Sequence, residues 1–243
     1  MLRYLLFLPV INLFFSCRPE EQPPQIGPPL FARDTVAILA LGDSYTKGQG
    51  IDWNTNFPNQ LKDSLMATNL TSEPTEPLVI AQTGWRTDQL LAAYQNQADV
   101  QTRTFDLVTL CIGVNNQFQK RDPEEYRIEL EELLQEAIER AGNRPERVLV
   151  ISIPDWGFTP FGQNYPGFGG PSGITAEIDQ WNEMKRNTAL QAGTSYVFVT
   201  DLSRKGLEQP DWVAADGLHP SALQYSAWLS QRILPVVRQL LRP

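Results

Sequence analysis

The chain has 243 residues, with 28 acidic against 20 basic side chains and a formal net charge of −8. With an N-terminal targeting stretch set aside, that length suits one well-buried domain rather than two. The acidic balance repels phosphate backbones and anionic headgroups over most of the surface, so nucleic acid is excluded as an expected partner, while the chemistry stays open.

From the N-terminus, Arg3 supplies a positive flank, and Tyr4 to Phe15 form an apolar run shorter than the roughly 20 residues of a membrane-spanning helix. Residues 1–16 therefore read as an export signal. Ser16 before Cys17 resembles the cleavage and lipidation box of bacterial lipoproteins, although Phe14 stands where that box favours an aliphatic residue. Cys17 is then the expected lipidation site, and membrane contact is expected only through that anchor; the alternative is a plain secreted protein. Residues 17–34 are rich in Pro, Glu and Gln and lack periodicity, which suits an extended tether ahead of a folded body over residues 35–243. The other cysteine, Cys111, falls in an apolar run and reads as a small core residue, so no disulfide is expected.

Short apolar or β-branched runs predict strands at Val36 to Leu41, Leu78 to Ala81, Leu107 to Ile112, Val148 to Ile153 and Tyr196 to Thr200. Helical patterns follow at Phe57 to Thr68, Thr87 to Gln97, Pro123 to Ala141, Ala176 to Gln191 and Ser221 to Leu240. The third has the clearest entry: Asp122 as cap, Pro123 at the first position, Glu125 completing a capping box, and a buried stripe of Leu130, Leu133, Leu134, Ala137 and Ile138. Runs that are apolar throughout suit strands covered on both faces. The alternation predicts an α/β fold, a three-layer α/β/α domain on a five-stranded, mainly parallel sheet. Sites in such folds lie beyond the carboxyl ends of the strands.

Four candidates fall there. After the first strand, Gly42, Asp43, Ser44 and Tyr45 form a sharp turn that offers the Ser44 hydroxyl. A serine needs a base at neutral pH, and the single histidine of the chain, His219, is the only imidazole available. It sits in Asp216-Gly217-Leu218-His219-Pro220, where Asp216 can orient the ring and Pro220 can open the last helix. Gly84, after the second strand, can give a backbone amide to an oxyanion, and Asn115, after the third, a side-chain amide. Each has a bland alternative: a strand terminator, a surface histidine, two ordinary turn residues.

Taken together, the four blocks resemble the SGNH or GDSL hydrolase family over about Val36 to Leu240. The resemblance implies a flavodoxin-like fold, Ser44 as nucleophile and first oxyanion amide, Gly84 as second amide, Asn115 as side-chain donor, His219 as base and Asp216 as its orienter. Tyr45 stands in place of the family's Leu, and Asn116 in place of its Asp, which implies different bracing of the Asn115 loop. A Gly-x-Ser-x-Gly elbow is absent, and no metal-ligand pattern occurs, so neither metal nor cofactor is implied.

Pro154 to Gly173 is a long segment carrying Trp156, Phe158, Phe161, Tyr165 and Phe168, placed either as a lid or binding wall or as packing against the body. Trp85, Trp156 and Phe158 are the candidate substrate contacts. The expected function is serine ester hydrolysis through an acyl-enzyme, first on carbohydrate acetyl esters or other small esters. Lysophospholipase or thioesterase-like acyl hydrolysis is the alternative, and a catalytically silent binding module is the third reading. The expected partner is a small-molecule, polysaccharide or lipid ester.

Overall fold

The computed structural model describes residues 34–73 and 75–241. The export signal read over residues 1–16, Cys17, and the tether up to residue 33 lie outside the described residues.

Five strands, β1 (Ile38–Gly42), β2 (Leu78–Ala81), β3 (Leu107–Cys111), β4 (Val148–Ile151) and β5 (Ser195–Val197), form one sheet in the order β2-β1-β3-β4-β5. Every neighbouring pair is parallel, with Leu41 opposite Ile80 and Leu110, and Val150 opposite Tyr196. The helices are α1 (Ser44–Lys47), α2 (Phe57–Ala67), α3 (Thr87–Gln95), α4 (Ala98–Gln101), α5 (Val114–Phe118), α6 (Pro123–Arg140), α7 (Pro160–Asn164), α8 (Pro171–Gln191), α9 (Thr200–Ser203), α10 (Ala222–Trp228) and α11 (Leu234–Leu240). Every residue of β1, β3 and β4 is buried, the consequence of strands apolar on both faces, and the architecture is the expected three-layer α/β/α sandwich. Cys111 is buried at the end of β3.

Side chains that take over backbone hydrogen bonds set the boundaries that differ from the periodicity. β1 begins at Ile38 rather than Val36, because the Ala37 N–H donates to the Asp106 carboxylate at 3.0 Å instead of to a strand. β4 ends at Ile151 rather than Ile153, whose N–H and C=O both pair with the Asn182 amide at 2.7 and 2.9 Å. β5 is only Ser195–Val197, and beyond it the N–H groups of Val199 and Thr200 donate to Ser152 Oγ at 2.8 and 3.2 Å. Gln97, at ψ 79°, separates α3 from α4. Gly170, in the positive-φ region at 84°, lets α8 start on Pro171, ahead of the expected Ala176.

The last helix is broken by a π-helical turn at Leu229–Ile233, just before Pro235, which lacks the N–H that a continuous α-helix would use. It opens at Ala222 behind the Ser221 cap, with Pro220 one residue outside. At the start of α6, Asp122 accepts from the N–H groups of Glu124 and Glu125, whereas the Glu125 carboxylate turns to Arg121 at 2.8 Å instead of closing the capping box. Leu130, Leu133, Leu134 and Ala137 are buried on the α6 stripe and Ile138 is half-buried.

Candidate active site

The turns that leave β1, β2 and β3 carry Ser44, Gly84 and Asn115, and the Asp216–His219 loop follows β5 at a distance, beyond α9 and a 3-10 turn at Pro210–Trp212. Gly42 makes the first turn feasible. A Cβ there would stand 2.1 Å from Thr46 Oγ1 and 2.3 Å from the Cys111 carbonyl, so only glycine lets α1 fold back this closely on β3. Asp43 Oδ1 then accepts from the Tyr45 N–H at 3.0 Å, capping α1 and placing Ser44 first in the helix. Burial pushes the Asp43 carboxyl up to about 7, against the pull of the Tyr45 N–H and the Lys185 charge.

The His219 loop is tied into a closed shape by the Ala214 N–H donating to the His219 carbonyl at 2.8 Å and by a bridge between Val213 and Pro220. Inside it, Asp216 Oδ1 accepts from the backbone N–H groups of Leu218 and His219, each at 3.0 Å, while Oδ2 faces His219 Nδ1 at 2.7 Å. Partial burial pushes the Asp216 carboxyl up, but those donors outweigh it and hold the pKa below the usual carboxylate value. An ionised carboxylate only accepts, which assigns the ring proton to Nδ1 and leaves the Nε2 lone pair for its other neighbour. That neighbour is Ser44 Oγ, 3.0 Å away. Tyr45 packs its ring against the His219 ring edge to face, with centroids 5.6 Å apart.

Asn115 lies on α5 with its Nδ2 donating to the Trp85 carbonyl at 2.8 Å, which uses one of the two amide hydrogens. The same contact brings the Gly84 turn alongside. Gly84 itself adopts φ 85°, is exposed, and does not line the cavity described below. Asn116 braces this arrangement from behind: its Oδ1 accepts from the Thr87 N–H at 3.1 Å and its Nδ2 donates to Thr87 Oγ1 at 2.6 Å. An amide can both give and take here, which a carboxylate could not do.

A cavity of about 110 Å³ opens beside the serine, lined by Ser44, Tyr45, Val114, Asn115, Phe118, Trp156, Phe161, Leu218 and His219. Trp156 is fixed by its indole N–H donating to Gln117 Oε1 at 3.0 Å. Of the other aromatic candidates, Trp85 contributes its carbonyl to Asn115 without lining the cavity, and Phe158 is half-buried outside it. Val114, Phe118 and Leu218 escape a reading based on motifs alone. Phe118 was within reach of it: on a helix that begins beside Asn115, the residue three positions on shares its face. A further residue without sequence signal is Gly50, where a Cβ would come within 2.7 Å of Asp216 Oδ2.

Against known proteins, residues 40–227 match the model of the GDSL-like lipase/acylhydrolase family. No curated protein matches the chain. Among solved structures, the chain is similar to TesA, with 19% identity, TM-score 0.63, and coverage of 84% of this chain and 99% of that one. It is also similar to a lipase/acylhydrolase from Enterococcus faecalis, with 18% identity, TM-score 0.63 and coverage of 85% and 96%. The psychrotrophic esterase EstA of Pseudoalteromonas sp., in a structure inhibited by monoethylphosphonate, gives 14% identity, TM-score 0.60 and coverage of 85% and 99%. These likenesses show the shared fold. The matched span holds Ser44, Gly84, Asn115, Asp216 and His219, and the chain belongs to the GDSL-like lipase/acylhydrolase family, with the general serine ester hydrolase activity of that family.

Proposed function

We propose that the protein hydrolyses small esters with a short, apolar acyl group, with Ser44 as nucleophile, His219 as general base and Asp216 as its orienter. The observation that carries this is the unbroken line from Asp216 Oδ2 through His219 to Ser44 Oγ at 2.7 and 3.0 Å. In the first step Ser44 Oγ bonds to the ester carbonyl carbon while its proton passes to His219 Nε2. The oxyanion is met by the free hydrogen of the Asn115 amide and by the backbone N–H groups of Ser44 and Gly84. His219 returns the proton to the leaving alcohol as the ester C–O bond breaks. Water, deprotonated by His219, then attacks the acyl-enzyme, and the acid departs as Ser44 is restored. Asp216 keeps the imidazolium in place without taking its proton.

The cavity supports the substrate class. Its polar side chains besides Tyr45 are Ser44, Asn115 and His219, all used by the reaction, and the rest of the wall is Val114, Phe118, Trp156, Phe161 and Leu218. Tyr45 is the one polar side chain of the wall that the reaction leaves over, so the pocket suits an apolar acyl chain better than a sugar, with the alcohol directed to solvent. Its 110 Å³ also falls below the roughly 300–1,000 Å³ of sites for drug-sized ligands. One observation favours the longer-chain reading: Phe118, Phe161, Tyr165 and Phe168 continue an aromatic surface past the cavity, with centroids 5.3 to 6.4 Å apart. Export and lipid anchoring through Cys17 belong to the same proposal and rest on the sequence.

Initial rates on p-nitrophenyl esters from acetyl to palmitoyl separate these readings, with Ser44→Ala as control. The expected result is a maximum at acetyl to butyryl that vanishes in the variant. A maximum at palmitoyl would replace the short-acyl reading, and a Ser44→Ala protein with full activity would remove the nucleophile assignment.

A further inference from the structure

Helix α8 buries Ile174, Ile178, Trp181, Asn182, Lys185, Thr188 and Ala189, a regular stripe in which two members are strongly polar. Lys185 is 0% exposed. An ammonium group in such a place costs several kcal/mol of desolvation unless its donors are satisfied, and an apolar side chain of similar length would fill the same space without that cost. Its contacts indicate what it does. Nζ donates to the Ile151 carbonyl at 2.6 Å and to the Ile112 carbonyl at 2.8 Å. These two groups lie where β3 and β4 part: the last recorded pair of that ladder is Leu110 with Val150. Beyond it the strands have no partner in each other, and a side chain from α8 spans the gap.

The gap borders the site. Ile112 leads directly into Gly113, Val114 and Asn115, so the carbonyl that Lys185 holds is three residues from the amide proposed to meet the oxyanion. At the same end of the sheet, Asp43 is buried, caps the helix that begins with Ser44, and has its Oδ2 without a hydrogen-bond partner among the described residues. The Lys185 charge acts on this carboxyl and the Asp43 charge acts on Lys185.

We propose that Lys185 is a positioning residue for ester hydrolysis: by clasping the ends of β3 and β4 it fixes the turn that carries Asn115 relative to the turn that carries Ser44. Lys185 touches neither the cavity nor the reacting atoms; it acts through the backbone at Ile112. The inference rests on the Ser44 site being the reacting one, which Ser44→Ala decides separately.

The test is Lys185→Met in the full chain, with kcat and KM measured per active site titrated by a p-nitrophenyl alkylphosphonate, and with folding followed by circular dichroism. Methionine keeps the length and removes the donors. The expected result is kcat per titrated site lower by about 10²-fold, the order of loss that a displacement near 1 Å brings, with KM within about twofold. Lys185→Gln, which restores a neutral donor, is expected to recover part of the loss. If kcat per titrated site is unchanged, whether or not the protein is less stable, Lys185 is structural only and the proposal falls. Should Lys185→Met not fold, Lys185→Gln decides by the same criterion: reduced kcat per site supports the clasp, and wild-type kcat overturns it.

Discussion

The Asp216 carboxylate is held on one oxygen by two backbone N–H groups and on the other by the His219 ring, and Gly50 sets how near the adjoining loop can come. At φ 85° Gly50 occupies backbone space that L side chains rarely adopt, and its missing Cβ leaves room for Asp216 Oδ2. Gly50→Ala is expected to displace that oxygen and to lower kcat by about 10²-fold with KM little changed, measured on the best p-nitrophenyl ester. An alanine variant with wild-type kcat would show that the loop yields instead. The Ser44–His219 pair was legible in the sequence because one histidine had to serve any imidazole chemistry. Gly50 was not, since its constraint exists only once two distant loops are packed. The two hydrogen bonds between Asn116 and Thr87 were half legible: the residue could be marked as unusual, but its partner lies across a helix entrance.

The segment between β4 and α8 shows what an element adds to its residues. In sequence it is a long aromatic loop. In the fold it holds a 3-10 turn at Trp156–Phe158 and the short helix α7, which starts on Pro160 behind the Thr159 cap. This order turns Trp156 and Phe161 toward the serine and leaves Phe158 outside the cavity. Phe161 is 39% exposed and Phe118 is 36% exposed, so both can be cut back at small cost to stability. Phe161→Ala should lengthen the acyl pocket and raise the kcat/KM ratio of hexanoyl over acetyl ester by about tenfold, the scale of discrimination that one or two methylenes carry. An unchanged ratio would mean that the acyl chain leaves by another route. The five strands and the five longer helical stretches followed from periodicity; the short helices α1, α4, α5, α7 and α9 and the element ends did not. β1 begins only after Asp106 has taken the Ala37 N–H, and β4 and β5 end ahead of the backbone groups that Asn182 and Ser152 take; such side-chain contacts leave no periodic trace.

Over the whole molecule, the buried Asp43 and Lys185 make stability depend on pH in a definite way. Burial raises Asp43 from 3.8 to about 7, so the folded chain keeps a proton that the unfolded chain has released; this contribution is complete below about pH 4 and fades as pH rises through 7. Burial lowers Lys185 from 10.5 to about 8, so its contribution is complete above about pH 10.5 and fades as pH falls through 8. Relative to a double variant carrying Asp43→Asn and Lys185→Met, the wild-type urea midpoint is therefore expected to be lowest between pH 7 and 8 and to rise toward both pH 4 and pH 10. Parallel curves for the two proteins would contradict buried titration. Both groups sit where the sheet opens toward the site.

Ser44 as the reacting group is tested most directly by treating the protein with a p-nitrophenyl alkylphosphonate and locating the adduct by peptide mass. One phosphonyl group on Ser44, formed in step with loss of esterase activity and absent from Ser44→Ala, is the expected result. Inactivation with the adduct on another residue, or undiminished hydrolysis by the Ser44→Ala protein, would contradict it.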